Sequence, residues 1–407
     1  MTVFLEQVLQ CLPDWISSLK PFPVVSWSQF VKYLHLMVNP LAGEEHLKEV
    51  IQQLQLMGEV VYLKCEEADL IILQPRWLFA ALCGPLLSPE SHQYANSSGS
   101  YTREQWQLHC PEYDAKDVLM VLSALGVCSQ VVEGEELQYE FPCYNKTSQD
   151  AVSWDQDHGQ WSEYGGVMLR AGAGFGSVMW PRIQTMLRRS VSRKHDDDTR
   201  LIQWRTGSKL QSPPLEALVE HRDNQITVKV RGPAGAGRTC FYFLEEILGI
   251  IDQVLLEMSP GLPVDKLILS SQDLKDHTPS VMTWSPGVVM SVMMKEGWSG
   301  SLVNTQHSRH ETLQSLLCFN SDEVSQSLLQ GHDVHVSGMS TVTRQSLCVL
   351  LDPPHHQGRD WCMLAVQMGL VDKVPKLDVG AGNYSQTARL LDEWGQHQSS
   401  SIGTIIN

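Results

Sequence analysis

The sequence predicts an α+β chain: two winged-helix-like units, then an antiparallel sheet with helices, then an all-α end. Three observations predict it. Between residues 26 and 144 the hydrophobic period passes from helical to alternating twice, each time as helix, helix, strand, strand. From Gly165 to Arg231 alternation persists, with polar turns between the runs. After Thr343 the spacing becomes helical again.

The opening residues, 1–25, read as an amphipathic helix over Val3–Leu12, closed by Pro13 with Pro21 and Pro23 beyond it. Ser26 is a good N-cap, and Trp27, Phe30, Val31 and Leu34 follow at helical spacing. Gly43 and Glu44-Glu45 open a second helix, whose stripe is Leu47, Val50, Ile51, Leu54, Leu56 and Met57, and Gly58 stops it. Glu59–Leu63 and Leu70–Leu73 are β-rich runs joined by a charged turn with Glu66, Glu67 and Asp69. Pro75 suits a first helical turn, and Trp77, Leu78, Ala81 and Leu82 make its inward face. Ser88–Tyr101 reads as a loop rich in Ser, Pro, Asn and Gly.

A second, similar unit follows. Thr102-Arg103-Glu104 caps a short helix through Trp106 and Leu108. Asp114–Asp117 begins a longer one with Val118, Leu119, Val121, Leu122 and Leu125, ended by Gly126. Strands Cys128–Val132 and Leu137–Tyr144 flank the acidic turn Glu133–Glu136. The two units are expected to share one core. Beyond them, Val167–Arg170 reads as a strand and Trp180-Pro181 as the start of a helix bearing Ile183, Met186, Leu187 and Val191. Arg200–Leu210, Leu215–His221 and Gln225–Arg231 read as strands, the last two joined by a turn at Arg222-Asp223-Asn224. Phe241, Leu244, Ile247, Ile251 and Leu255 lie at core spacing on a helix over Phe241–Met258, which predicts two helices on one face of the sheet. Residues 260–340, punctuated by prolines and Gly–Ser steps, read as a connector with short helices. Asp352-Pro353-Pro354 stops the next helix, and Asp360–Leu370, Val371–Val374 and Ala388–Trp394 follow.

Composition narrows the function classes. The 407 residues hold 46 acidic and 30 basic side chains, a formal charge of −16. A DNA-reading helix needs cations facing phosphate, and the second helix offers Lys48 against Glu44, Glu45 and Glu49, so nucleic acid is not an expected partner. No apolar run approaches a membrane span of ~18 residues. The first residues lack a basic n-region, and ten scattered cysteines form no C-x-x-C pair. The expected compartment is the cytoplasm, with reduced thiols, which leaves the sequons at Asn96, Asn145 and Asn383 idle.

Specific phrases carry a family resemblance. Asn39-Pro40-Leu41-Ala42, Glu44–Glu49, Gln52–Val60 and Leu70–Leu78 together resemble the COR domain of Roco proteins, and within that superfamily the chain is most similar to the death-associated protein kinase family. Leu350–Pro354, Asp360-Trp361-Cys362 and Ile402-Gly403-Thr404 resemble the death domain of the same family, a six-helix bundle used for homotypic association. The match runs to Asn407, inside the expected fifth helix, so Leu364, Leu370, Leu390 and Trp394 are expected to lack part of their cover and order after Asp352 to be marginal. The resemblance implies COR-like winged-helix units over 26–150 and a COR-like α+β part over 160–260. A helix and linker at 1–25, the connector at 261–341 and a truncated death-domain-like bundle at 342–407 complete the expected organisation.

Four motifs bear on chemistry. Gly232-Pro233-Ala234-Gly235-Ala236-Gly237-Arg238-Thr239 follows a strand and opens a helix, with phosphate-loop spacing. Arg238 stands in place of the loop lysine, and the alternating strand before it (Thr227, Val228, Lys229, Val230, Arg231) reads as antiparallel, so a Gly-rich turn is expected. His307/His310 and His332/His335 have ligand-compatible spacing without the adjacent Glu or third ligand, and no metal is expected. His355-His356 and the cysteines likewise point to no metal or nucleophile. Arg188-Arg189-Ser190-Val191-Ser192-Arg193-Lys194-His195 reads as a solvated helix end that also offers basophilic kinase acceptors at Ser190 and Ser192, Arg189 lying three residues before Ser192. Trp27, Trp77, Trp106, Trp154, Trp161, Trp180 and Trp204 read as packing residues.

The expected function is a non-catalytic scaffold for dimerisation or inter-domain coupling in apoptotic signalling, with no catalytic, cofactor or metal residues. The expected partners are a second copy, a Roc-type GTPase domain and death-domain proteins. The kinase set of Gly-rich loop, H-R-D and D-F-G is missing from the 407 residues, so no enzyme is expected. The alternatives are a fragment of a serine/threonine kinase with an associated Roc GTPase whose catalytic domains lie elsewhere, or a cryptic nucleotide binder using Gly232–Thr239.

Overall fold

A computed structural model of the chain describes residues 2–64, 69–86, 88, 96–133, 136–148, 154, 161–193, 199–316, 335–339, 341–353, 360–378 and 385–396. Contacts divide the chain into two units: residues 1–151, 181–196 and 203–205 form the first, and residues 152–180, 197–202 and 206–407 the second.

In the first unit α1 is Thr2–Ser18, longer than expected because it runs through Pro13. Proline removes a helical hydrogen bond, but Leu12 and Trp15 on either side of it are buried with Phe4 and Val8. Trp15 stacks on Tyr33 with ring centroids 3.8 Å apart. Burial of that face offsets the lost bond. Then come β1 (Val24–Ser26), α2 (Trp27–Met37), α3 (Glu44–Leu56), β2 (Val61–Leu63) and β3 (Leu70–Ile72), with the antiparallel strand order β1-β3-β2. The α3 stripe is Leu47, Val50, Ile51 and Leu54. Leu56, expected in it, is 80% exposed, because two residues beyond Leu54 the helix has turned about 200° and its side chain faces away from the core.

The same plan recurs. β4 (Ser100–Thr102), α4 (Arg103–His109), α5 (Ala115–Leu125), β5 (Ser129–Glu133) and β6 (Glu136–Glu140) pair in the order β4-β6-β5. Both first helices begin with one capping device. The Ser26 hydroxyl accepts from the Gln29 N–H at 3.3 Å while the Gln29 side chain accepts from the Ser26 N–H at 2.8 Å. Thr102 and Gln105 repeat it at 3.3 and 3.0 Å. Leu108 of α4 is exposed. Gly126 closes α5 at φ 70°, and Arg182 occupies the space a side chain there would need.

The expectation of one shared core is corrected to two cores joined by a strand. Ile71 and Leu73 pack with α1, α2 and α3, whereas Leu70 and Ile72 pack with Trp77, Trp106, Val118 and Phe141. β3 is buried on both faces, so alternate residues serve different cores. After it, Trp77–Cys83 is π-helical, with the Gly84 N–H bonded to the Phe79 carbonyl. The wider turn places Leu82 under the core and leaves Ala81, an expected core residue, exposed.

The second unit is built on a seven-stranded sheet, β7 (Glu163–Ala171), β8 (Arg200–Trp204), β9 (Gly207–Ser212), β10 (Leu215–Arg222), β11 (Gln225–Gly232), β12 (Val264–Leu269) and β13 (Thr283–Trp284), in the order β13-β12-β7-β11-β10-β9-β8. The registered pairs β12/β13, β12/β7, β11/β7, β10/β11 and β10/β9 are antiparallel. Arg200–Leu210, expected as one strand, is two, broken at Arg205-Thr206. A side chain on Gly166 would lie 2.3 Å from the Val228 carbonyl, so the β7/β11 approach requires glycine. Of the expected pair of helices, α7 (Gly237–Met258) packs on β7, β10 and β11, and α6 (Met179–Arg193) is bonded to β8, where Gln184 Nε2 donates to the Trp204 carbonyl and Gln203 Nε2 to the Gln184 carbonyl, each at 2.9 Å. The core face of α7 is Cys240, Phe243, Leu244, Ile247 and Ile251, with Phe243 taking the place expected of Phe241.

The stretch read as a connector carries regular structure: β12 and β13 of the sheet, α8 (Ser271–Lys275), α9 (Pro286–Glu296), the hairpin β14/β15 (Ser301–Asn304, Arg309–Thr312) and α10 (Leu313–Leu316). Beyond it lie α11 (Thr341–Leu351), α12 (Trp361–Gln367), α13 (Val374–Asp378) and α14 (Gln386–Trp394). Leu370, Leu390 and Trp394, expected to lack cover, are buried with Trp361, Ala365 and Leu377 around one core. Ile402-Gly403-Thr404, the turns at 65–68 and 134–135, His332 and His355-His356 lie outside the described residues. No helix among the described residues is long and apolar enough to cross a membrane.

Candidate functional site

Strand periodicity puts Glu216, Leu218 and Glu220 of β10 on one face of the sheet, and the register places Arg231 and Gln211 opposite Glu216, with Lys229 and Lys209 opposite Leu218. Each carboxylate is therefore within reach of two cations. Arg231 Nε donates to Glu216 Oε2 at 2.7 Å, and Lys209 Nζ lies 2.8 Å from Glu216 Oε1. Lys229 Nζ donates to Glu220 Oε2 at 2.7 Å and Arg222 to Oε1 at 2.8 Å. Burial pushes Glu216 upward, but Lys209 and Arg231 outweigh it and hold the carboxyl below its ordinary value. Lys229 and Arg222 outweigh burial in the same way at Glu220.

Arg231 is 3% exposed. Its guanidinium lies between Trp154 and Trp161, 4.9 and 4.8 Å from the ring centroids. Those tryptophans, read from sequence as packing residues, form a cage around the chain's own arginine. A cavity of about 530 Å³ opens beside it, lined by Trp161, Arg200, Pro213, Leu215, Glu216 and Pro233. The ionised, doubly paired carboxylates clamp three strands together and have no proton to transfer.

The Gly-rich motif lies at the same end of the sheet. β11 is antiparallel to both neighbours, so the strand preceding the loop is not that of a phosphate-binding βα unit. The Gly235 N–H, at φ 80°, donates to Glu163 Oε1 at 3.2 Å, and Thr239 Oγ1 donates to the Ala236 carbonyl at 2.8 Å. The Glu163 side chain thus takes the Gly235 N–H of the loop. Arg238 lies over the Tyr242 ring. Burial pushes the Cys240 thiol behind the loop up to about 12.

His307 and His310 do not converge. His307 Nε2 faces Asp273 Oδ1 at 3.7 Å, whereas His310 is exposed on β15 and His335 bonds Ser337 Oγ at 2.7 Å. Among the described residues no three His, Cys, Asp or Glu side chains form a metal-holding group. Sequence reading missed the buried network around Asp273, which accepts from the Met282 N–H at 2.9 Å and Asn304 Nδ2 at 3.0 Å. Nearby, Ser270 Oγ donates to Glu311 at 2.6 Å. The capping phrase Ser270-x-x-Asp273 was the available signal.

The basic run on α6 is bonded, where a solvated helix end was expected. Arg182 donates to the Leu125 carbonyl at 2.9 Å, Arg188 to Glu140 at 2.6 and 3.3 Å, and Arg189 to the Ser123 and Cys128 carbonyls. Ser192, exposed in the last turn, donates to the Arg188 carbonyl at 3.1 Å. Ser190 is half-buried.

Comparison with known proteins adds two findings. The death-domain family model matches residues 344–407. Residues 344–407 form a death domain. Over 397 residues, 94% of this chain, the sequence is 32% identical to the death-associated protein kinase dapk-1 of Caenorhabditis elegans, of whose length it spans 28%. This corrects the expectation that no enzyme is involved, since the relative matched along nearly the whole chain is a protein kinase. Catalytic motifs occupy a small part of a long polypeptide, so their absence from these 407 residues could not decide the matter.

Proposed function

We propose that this chain belongs to a signalling protein kinase of the death-associated type, acting in apoptotic signal transduction in the cytoplasm, and that these residues supply its protein–protein contacts. The observation that carries the reading is the 32% identity along 94% of the chain together with the death domain at its C-terminal end. Residues 26–150 act as two COR-like winged-helix units with α1 packed on the first, residues 160–260 as the α+β part whose sheet gains β12 and β13 from 261–341, and 342–407 as the death domain. The repeated strand order and the repeated capping device support the paired units. Homotypic death-domain contact and self-association are the expected interactions, and a Roc-type GTPase domain is a further expected partner. Light scattering after size exclusion, across the micromolar range, tests it. A mass that rises with concentration, and falls back when 342–407 is removed, is expected. A strict monomer that retains no added copy of 342–407 overturns the reading.

A further inference from the structure

We propose that Ser192 is a phosphorylation site for a basophilic serine/threonine kinase, and that its phosphate unlatches the end of α6 by taking Arg188 from Glu140. This inference does not rest on the function proposed above.

Two features mark Ser192 as the acceptor. Its residue is exposed while Ser190 is half-buried, and Arg189 precedes it by three positions. The chemistry is a phosphoryl transfer from ATP. The Ser192 Oγ–P bond forms, the bond from the γ-phosphorus to the β–γ bridging oxygen breaks, ADP leaves, and the hydroxyl proton passes to the kinase's base. The product oxygen can no longer donate to the Arg188 carbonyl, as the hydroxyl does at 3.1 Å. In its place stands a group of about −1.5 to −2 charge.

Arg188 lies one helical turn before Ser192, so its side chain can reach a phosphate there. Glu140, its present partner, carries one negative charge and is held at 2.6 Å with its side chain 8% exposed. The phosphate competes with more charge and more acceptor oxygens. It also sits in the last turn of α6, where the helix dipole is negative and disfavours it unless a cation comes over. Losing Arg188 leaves Glu140 a buried carboxylate without its cation, which loosens the end of β6. Arg182 and Arg189 continue to hold the α6 side to the α5 end, so the change is confined to the last turn.

The test uses the full chain, the catalytic subunit of cyclic-AMP-dependent protein kinase and magnesium ATP. Peptide mass spectrometry is expected to place phosphate on Ser192 in the parent and not in S192A. Amide exchange over 188–193 and 137–141 is expected to quicken by about tenfold to a hundredfold on phosphorylation, the range for losing a charged hydrogen bond. In E140Q the same increment should shrink, because the latch is weakened before phosphate arrives. Absence of phosphate from Ser192 in the folded chain overturns the site. Phosphate there with unchanged exchange, or with an equal increment in E140Q, overturns the switch.

Discussion

Arg231→Ala should be the most damaging substitution on the charged face of the sheet. It removes the 2.7 Å bond to Glu216 and empties the space between Trp154 and Trp161. Glu216 is 4% exposed, so it cannot recover a full water shell and keeps only Lys209 as a counter-charge. Breaking one side of a buried pair costs about 3–5 kcal/mol, against about 0–1 kcal/mol for an exposed one. For a unit of 150–250 residues that is a fall of about 6–20 °C in melting temperature, at about 2–4 °C per kcal/mol. The assay is calorimetry of the parent, R231A and the pair replacement E216L/R231L. The double variant should recover much of the loss, since removing both charges leaves nothing buried and unpaired. The pH dependence has a fixed sign. Glu216 has a lowered folded-state value, so its stabilisation is present above the ordinary value of 4.5 and is lost as pH falls through the folded one. The R231A deficit must therefore narrow in acid. A cost under about 1 kcal/mol at neutral pH, the level of a surface pair, would refute the reasoning.

Three further outcomes follow from particular contacts. Ser26→Ala and Thr102→Ala each remove half of a capping box, and each should cost about 0.5–2 kcal/mol in urea titration, with the two costs adding if the cores respond independently. Leu390→Ala opens a cavity at a fully buried position of the death-domain core and should cost about 2–5 kcal/mol, seen as faster amide exchange over 361–394. Burial raises the Glu311 carboxyl against the bonds from Ser270 and the Gln272 N–H, so charging it disfavours the fold as pH rises through that raised value. E311Q should accordingly raise the melting temperature at neutral pH, by an amount that vanishes below the ordinary value of 4.5.

Local signals in the sequence were strong wherever one element's own residues set its ends. Ser26, Thr102 and Gly126 announce helix boundaries through their own side chain or φ angle, and the structure places caps at those residues. Pro13 shows the opposite case. The ring argues for a stop at its own position, and only burial of Trp15 two residues later explains why the helix continues. β12 was illegible for a related reason: Val264-Asp265-Lys266-Leu267-Ile268 has little alternation of its own and owes its strand to pairing with β7. The Arg231 cage joins residues up to 77 positions apart in sequence, from Trp154 to Arg231, which no local pattern can reveal. Phe241 lies at the edge of the face that Leu244, Ile247, Ile251 and Leu255 define and is half-buried, whereas Phe243, one turn before Ile247, is buried in it.

The two roles of the α6 arginines exclude one another, and that gives the phosphorylation site its character. A basophilic kinase reads Arg189 as a free guanidinium on an extended peptide, whereas in the folded chain that guanidinium is bonded to the carbonyls of Ser123 and Cys128. Ser192 itself is helical and bonded to the carbonyl one turn earlier. Recognition therefore draws on the fraction of molecules whose last turn of α6 is open, and the observed rate falls in proportion to that fraction. Phosphate then favours the released last turn, because it sits badly on the helix end and draws Arg188 from Glu140, while Arg189 returns to the Ser123 and Cys128 carbonyls. The same Arg188–Glu140 bond thus resists the modification before it occurs and is broken by it afterwards. A basic run on a solvated helix would have neither property, which is why the bonding of these arginines, more than their sequence, makes Ser192 a switch.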